Sequence, residues 1–343
     1  MISAGSQPQE ARVWPKVAII ILNWNGYEHT SRCLNSLLQI RYPNHEIVVV
    51  DNGSTDGSAQ RLRDSFPQCR FVFNTRNLGF SGGCNAGIRD ALGEDADYVL
   101  LLNNDAVLAP DALGPAVDVM EKDRDVGLVG GKVYYLDQPR VFWYAGGSIS
   151  RLWGRAIVRG KDREDRGQYD KVCEVGFVTG AMMLISRRVL ETVGMLEEAY
   201  FFSTEECDYS VVVRRAGYRL LYVPEFISYH ATWGSHRGFA DPKIWYCVFR
   251  CRLIFQSRFH SKAYFRLWTL VFLGYYMTLA PLRHLHRGRE ALRGCRAALK
   301  AAIRDHRKAS RLGVTEADLI RFEREFYARP QRGAGSPVAE AHT

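Results

Sequence analysis

Several familiar landmarks are missing from this sequence. No apolar run reaches the roughly 20 residues needed to cross hydrocarbon; the longest candidate, Leu267–Leu282, has 16 residues between Arg266 and Arg283. The eight cysteines stand singly apart from one C-x3-C spacing (Cys247, Cys251), with no paired C-x2-C sets, which argues against structural zinc. Met1–Lys16 is mostly polar and lacks the apolar stretch of a secretory signal, so reduced thiols and a cytoplasmic location are expected. Neither common nucleotide cradle is present. Gly131-Lys132 has Val126 where a P-loop needs its first glycine and Val133 where it needs Ser or Thr, and the first strand ends in Asn23-Trp24-Asn25-Gly26 rather than G-x-G-x-x-G.

What is present is enough chain, 343 residues with 47% apolar and 24% charged content, for a large α/β domain and an appendage. The net charge of +9 is unevenly placed. From Arg250 to Arg332 there are 19 Lys/Arg against 6 Asp/Glu, a local excess of 13, so the remainder sums to −4. A basic tail of this kind seeks anions, whether lipid head groups, phosphates or nucleic acid. The composition divides the chain into frayed residues 1–15, a domain over 16–240, a basic helical segment over 241–328 and a frayed tail over 329–343.

In the first half, buried strands alternate with amphipathic helices. Val17–Leu22, Glu46–Val50, Arg70–Phe73 and Tyr98–Leu102 read as strands. Leu34, Leu37 and Leu38 mark one helix face; Cys84, Ile88, Ala91 and Leu92 mark another. Such βα units predict a mainly parallel sheet covered on both faces. Val141–Trp143, Ala156–Val158, Phe177–Ile185, Arg219–Val223 and Phe226–His230 read as further strands, and Glu205–Ala216 as a helix ending at Gly217. Ligands of such sheets bind at the carboxyl ends of the strands. Polar clusters sit there three times, at Asn23–Gly26, Asp51–Asp56 and Asn103-Asn104-Asp105, which points to one site gripped by acidic side chains.

These clusters, with Asn77-Leu78-Gly79-Phe80-Ser81-Gly82-Gly83-Cys84-Asn85, Val178-Thr179-Gly180-Ala181, Glu205-Glu206-Cys207-Asp208, Arg215-Ala216-Gly217 and His230, occur in the order found in inverting glycosyltransferase family 2. The chain resembles that family from about Val17 to Arg252, and most of all its bacterial rhamnosyltransferase-type branch. The resemblance implies a GT-A fold and a metal-dependent, inverting hexosyltransferase. The donor would be a dTDP-, UDP- or GDP-sugar, with rhamnose the sugar the branch suggests. The acceptor would be a saccharide or polyprenyl-linked saccharide in cell-surface polysaccharide synthesis.

The resemblance also implies roles. Asn23, Trp24, Asn25, Asp51, Asn77, Gly82, Gly83, Asn85, Asn103, Asn104 and Asp105 fall at the donor; Gly180, Ala181 and Trp233 fall at the acceptor; Asp105 and His230 fall at a Mg²⁺ or Mn²⁺ ion. Asn103 replaces the first acid of the family's D-x-D motif. Hard oxygen ligands suit either cation. Glu206 takes the place of the family's general base, which is usually an aspartate, with Asp208 and Glu205 as alternatives. Plainer readings stand beside these: Asp51 and Asp56 as turn caps, Trp24 as a core aromatic, His230 as a packed core residue, and the three acids as partners of a helix dipole.

In the tail, Leu285, Leu292, Cys295, Leu299, Ala302 and Ile303 line one helical face, opposite Arg289, Arg293, Arg296, Lys300, Arg304 and Arg307. That pattern suits an anionic membrane surface and predicts a peripheral protein on the inner face of the cell membrane. A solvated helix docked on the core is the alternative. Nucleic acid is not an expected partner, because no recognised fold or aromatic RNA motif is present. A nucleotidyltransferase would need a Gly-rich basic loop after the first strand, and a non-catalytic adaptor would not need Glu205–Asp208.

Overall fold

The computed structural model describes residues 13–150, 152–231, 241–283, 288–308 and 313–327. The chain divides into two compact units, Met1–Trp233 and Gly234–Thr343.

The first unit runs β1 (Val17–Asn23), α1 (Tyr27–Leu37), β2 (His45–Asp51), α2 (Ser58–Ser65), β3 (Arg70–Phe73), α3 (Gly79–Gly93), β4 (Tyr98–Leu102), β5 (Ala106–Leu108) and α4 (Leu113–Lys122). It continues with β6 (Val126–Tyr135), β7 (Phe142–Tyr144), β8 (Gly147–Ser150), β9 (Arg155–Val158), β10 (Cys173–Glu174), β11 (Met182–Ser186), α5 (Arg187–Thr192), α6 (Glu205–Arg215) and β12 (Arg219–His230). The main sheet has the order β10-β12-β6-β11-β4-β1-β2-β3. β3, β2, β1 and β4 are mutually parallel, as are β6 and β12, whereas β11 is antiparallel to both β4 and β6.

β1 is buried along nearly its whole length because both sheet faces are covered, so it reads as a continuous apolar run rather than an alternating one. On one face Ala18, Ile20, Val48, Val50, Val99 and Leu101 pack with Cys84, Ile88 and Ala91 of α3 and Tyr209 and Val213 of α6. Each fully buried Ile, Val or Leu among them contributes about 1.5–3 kcal/mol.

Several elements depart from the expected pattern. The ten-residue β6 carries no strand expectation, yet it joins β12 to β11. Residues 177–179 have no regular secondary structure and 180–181 form a turn, so β11 starts only at Met182. Two expected strands are one, β12, whose register on β6 shifts between Val223 and Ile227, across Pro224, which has no N–H to give the ladder. Leu38 caps the end of α1 and is exposed rather than buried.

The second unit is helical: α7 (Pro242–Phe259), α8 (Lys262–Arg283), α9 (Gly288–Lys308) and α10 (Glu316–Tyr327). Asp241 caps α7 through its bond from Lys243 N at 2.8 Å, with Pro242 at the first helical position. The core is aromatic: Phe249 meets Tyr276 at 4.8 Å, Trp268 stacks on Phe272 at 4.4 Å, and Tyr246 stacks on Phe322 at 4.8 Å. Cys295, Leu299 and Ala302 of α9 are buried, and α9 packs along α7. The apolar side of α9 is therefore used inside this unit, as the docked-helix alternative has it, and is not available to a membrane. Its basic side is also thinner than expected, because Arg304 pairs with Glu325 at 3.0 Å and with Asp305 at 2.7 Å. Arg293, Arg296 and Lys300 are exposed; Leu285 and the side chains of Arg289 and Arg307 lie outside the described residues. Among the described residues no helix is long and apolar enough to cross a membrane.

Candidate active site

The strand register brings Asn23 and Asp51 side by side at the ends of β1 and β2. Asn23 is fully buried, and its Nδ2 donates to Asp51 Oδ1 at 2.9 Å and lies 3.1 Å from both Ser54 Oγ and Ser58 Oγ. Asp51 Oδ2 accepts from Ser54 N at 3.0 Å. Both carboxylate oxygens of Asp51 thus have internal partners, as a turn cap requires, while a carboxylate still has lone pairs to offer. Asp56 likewise accepts from Ser58 N, an Asx turn just ahead of α2. Asn25, with φ +50°, accepts from Thr55 N, locking the two strand-end loops together. Trp24 between them is 50% exposed, so it is not a core aromatic and offers a ring face to solvent.

Thr30 extends this mesh. Its hydroxyl donates to Asn23 Oδ1 at 2.8 Å and accepts from Asn104 Nδ2 at 2.9 Å, joining the β1 end to the segment after β4. The sequence reading did not single out Thr30, although it shares the buried helical face of Cys33, Leu34 and Leu37.

Four residues expected at the donor also have structural contacts. Gly83 packs where a Cβ would come within 2.4 Å of Leu22 and 3.1 Å of Asn52, and at Gly82 a Cβ would crowd Leu78 at 2.8 Å. Gly83 thus lets α3 approach β1, and Gly82 makes room for Leu78 at the start of its own helix. Asn85 donates to Leu196 O at 2.8 Å and Glu198 Oε1 at 3.0 Å and accepts from Leu196 N at 3.1 Å, so it pins the loop before α6. Asn77 also works locally, accepting from Asn52 Nδ2 and Gly79 N.

After β4 the chain turns through Asn103–Asp105 and pairs β5 with β12, setting His230 opposite Ala106. His230 Nε2 lies 2.8 Å from Asp105 Oδ1 and 3.2 Å from Asn103 Nδ2. Burial pushes the Asp105 carboxyl up, but the His230 hydrogen bond and charge outweigh it and hold the group below its usual range. Trp143 of β7 sets its ring edge against His230 at 4.7 Å, a contact between strands distant in sequence that no motif announces. His230 is not a fully satisfied core histidine, because its buried Nδ1 has no hydrogen-bond partner.

Asp105 Oδ1 and His230 Nε2 face one another 2.8 Å apart. Both are suitable donors for Mg²⁺ or Mn²⁺, so the pair fits such an ion. Among the described residues no cluster of three or more His, Cys, Asp or Glu could hold a metal by itself. An ion here would take its remaining ligands from a bound molecule and water.

The acids of α6 differ sharply from one another. Asp208 is buried and accepts from Tyr200 Oη at 2.7 Å, and Glu205 is buried as well. Of the three, only Glu206 is partly open to solvent. Burial pushes its pKa up, against backbone hydrogen bonds at Glu206 and Thr204 and one to Glu205. Asp208, an alternative base in the sequence reading, is tied through Tyr200 to the preceding loop.

Gly180-Ala181 connects the two halves. Ala181 O accepts from Asn103 N at 3.1 Å. A Cβ on Gly180 would stand 3.4 Å from the Phe80 ring and 3.8 Å from Glu206 Cβ. Phe80 N in turn donates to Phe201 O at 2.7 Å, just ahead of α6. The Asn103–Asp105 segment and Glu206 therefore flank the same short stretch of chain, and the Asp51 mesh joins the first of them through Thr30 and Asn104. Trp233 lies outside the described residues.

Comparison with known proteins gives this arrangement a context. Solved structures share the fold at low identity. A mannosyltransferase from Pyrobaculum calidifontis in complex with GDP-Man and Mn²⁺ aligns over 92% of this chain and 81% of its own, with TM-score 0.52 and 18% identity. GalNAc-T7 with UDP, GalNAc and Mn²⁺ aligns over 63% of this chain and 43% of its own, with TM-score 0.53 and 17% identity. The fold is thus the GT-A fold of glycosyltransferases. In sequence, the N-acetylglucosaminyl-diphospho-decaprenol L-rhamnosyltransferase of Mycobacterium tuberculosis is 26% identical over 225 residues, covering 60% of this chain and 73% of that enzyme. The family described as Glycosyl transferase family 2 matches residues 18–194, a span that holds the Asp51 and Asp105 strand ends and stops short of Glu206 and His230. More than half of the sequence lies within that match, and the chain belongs to glycosyl transferase family 2.

Proposed function

We propose that this glycosyltransferase moves a hexose, rhamnose in the first instance, from a nucleotide-diphosphate donor to a saccharide carried on a polyprenyl diphosphate, with inversion at the anomeric carbon. The observation that carries the reading is the position of Glu206: a partly exposed carboxyl, raised in pKa by burial, beside Gly180 in the short stretch whose Ala181 bonds to Asn103. The sugar and acceptor rest on similarity to the mycobacterial rhamnosyltransferase.

In this reading Trp24 stacks on the donor base and the Asp51 end of the mesh orients the nucleoside. Asp105 and His230 hold Mg²⁺ or Mn²⁺, as the Mn²⁺ complexes of the two solved relatives suggest. When bound, the cation offsets charge on the diphosphate leaving group. Glu206 accepts the proton of the acceptor hydroxyl as its oxygen attacks, and Gly180 leaves room for the acceptor beside that carboxylate. The protein works at the inner face of the membrane, where its lipid-borne acceptor resides.

The direct test supplies the purified chain with dTDP-, UDP- and GDP-sugars, Mn²⁺ and a polyprenyl-diphosphate saccharide in vesicles. Transfer with inverted anomeric configuration supports the reading. Pyrophosphate exchange without sugar transfer would instead indicate a nucleotidyltransferase. For the cation, Asp105→Ala and His230→Ala are each expected to weaken Mn²⁺ binding at least about tenfold, read by electron paramagnetic resonance of free Mn²⁺ in the presence of donor. Unchanged titrations would remove both residues from the metal site.

A further inference from the structure

The apolar side of α9 is consumed within the helical unit, yet α8 presents apolar side chains on two faces. Trp268, Phe272 and Tyr276 point into the core. On the other side Leu267 is 63% exposed, Leu270 66% and Val271 51%. They fall at i, i+3 and i+4, so they form one stripe, which the exposed Ala263 and Gly274 extend by a turn at either end. Exposed Lys262 and Arg266 stand at the N-terminal end of the same helix. Near its other end Arg296 of α9 donates to Met277 O at 3.3 Å, so the exposed basic row of Arg293, Arg296 and Lys300 begins beside α8.

We propose that α8 is the membrane-docking element of this protein, lying flat on an anionic bilayer with Leu267, Leu270 and Val271 in the acyl boundary and the neighbouring Lys and Arg on the head groups. The inference rests on the membrane-peripheral part of the proposed function and assigns it to a specific face.

Three observations favour a lipid surface over other occupants. α8 has 22 residues, but no described helix is apolar enough to span, so its exposed stripe fits an in-plane helix. Stable peripheral binding needs two weak signals together, and here an apolar stripe is joined to basic residues. A second copy of the chain is a poorer occupant. Pairing two such faces would bring together two segments that each carry 19 basic against 6 acidic residues from Arg250 to Arg332.

The test is flotation of the full chain with vesicles of phosphatidylcholine alone or mixed with phosphatidylglycerol, without donor or acceptor. The wild type should bind the mixed vesicles, bind neutral ones weakly, and lose binding in about 0.5 M salt. The double substitution L267E/L270E alters only exposed positions and should reduce partitioning at least about tenfold. Ile320→Glu, at an exposed position of α10, should leave it unchanged. As a second measurement that keeps the stripe apolar, Leu270→Trp should show fluorescence quenched by brominated acyl chains. Equal vesicle binding by the wild type and L267E/L270E, no binding by the wild type, or a stripe that changes only the oligomeric state in light scattering would each overturn the proposal. The same samples assayed for transfer to a water-soluble acceptor separate this failure from failure of the enzymatic reading, since L267E/L270E should transfer at the wild-type rate there.

Discussion

Glu206→Gln is expected to leave a folded chain that binds its donor and transfers almost no sugar. Removing a positioned general base costs about 10²–10⁴ in kcat, while donor affinity should stay within about threefold because the amide keeps the size of the side chain. Isothermal titration with the nucleotide sugar and a transfer assay on the same preparation separate the two effects. Full turnover by Glu206→Gln would return the base role to Glu205. Asp208 is a weaker candidate, with one oxygen already taken by Tyr200. A pH profile adds a second readout. Because burial raises the pKa of Glu206, the deprotonated, proton-accepting form appears only above the ordinary glutamate value of 4.5. The acid limb of kcat/KM should therefore lie above that value and vanish from the residual activity of Glu206→Gln. The effect on stability runs the other way. A carboxyl whose pKa is raised by folding favours the native state at acidic pH, and that contribution is lost as pH rises through the raised pKa.

Gly79→Ala is expected to harm stability and activity together. Gly79 has φ +74°, and a Cβ there would stand 2.4 Å from Phe201 O and 2.8 Å from Phe201 Cα. The left-handed conformation alone costs an alanine roughly 1–2 kcal/mol, and the backbone collision adds more, for a total of about 2–4 kcal/mol. The displaced segment leads through Ser203 and Thr204 into Glu206. These residues hold φ of +75° and +81° without being glycine, so the turn that aims the base has little latitude. A urea titration should show a lower midpoint, and kcat should fall more than KM rises. Wild-type stability with wild-type kcat would mean that the loop can move aside and that its path is irrelevant to the chemistry.

The parallel half of the sheet was legible because its strands are largely apolar and three of them, β1, β2 and β4, end in a polar cluster. Arg70–Phe73 and Tyr98–Leu102 have the expected bounds. β6 was not legible. Gly127, Gly130 and Gly131 interrupt its apolar character, and its place between β11 and β12 depends on partners more than 40 residues away. For the same reason the Trp143–His230 contact and the Thr30 bridge escaped the sequence: each joins elements that only the sheet order brings together. The glycines and Asn85 of α3 are ambiguous in the opposite sense. Residue types that suit a ligand cradle also suit close packing, and Gly82, Gly83 and Asn85 pack. The tail misled because a strong apolar–basic division of α9 is equally compatible with a protein neighbour, and α7 is that neighbour.

The chain of hydrogen bonds from Asp51 through Asn23 and Thr30 to Asn104 has a mechanical consequence. Four side chains, three of them buried, act as a rigid strut between the ends of β2 and β4. Neither end can drift to follow a ligand that is slightly too long or too short. On the proposed reading the enzyme measures the span from nucleoside to diphosphate against a fixed gauge, and leaves tolerance only for what lies beyond the second phosphate.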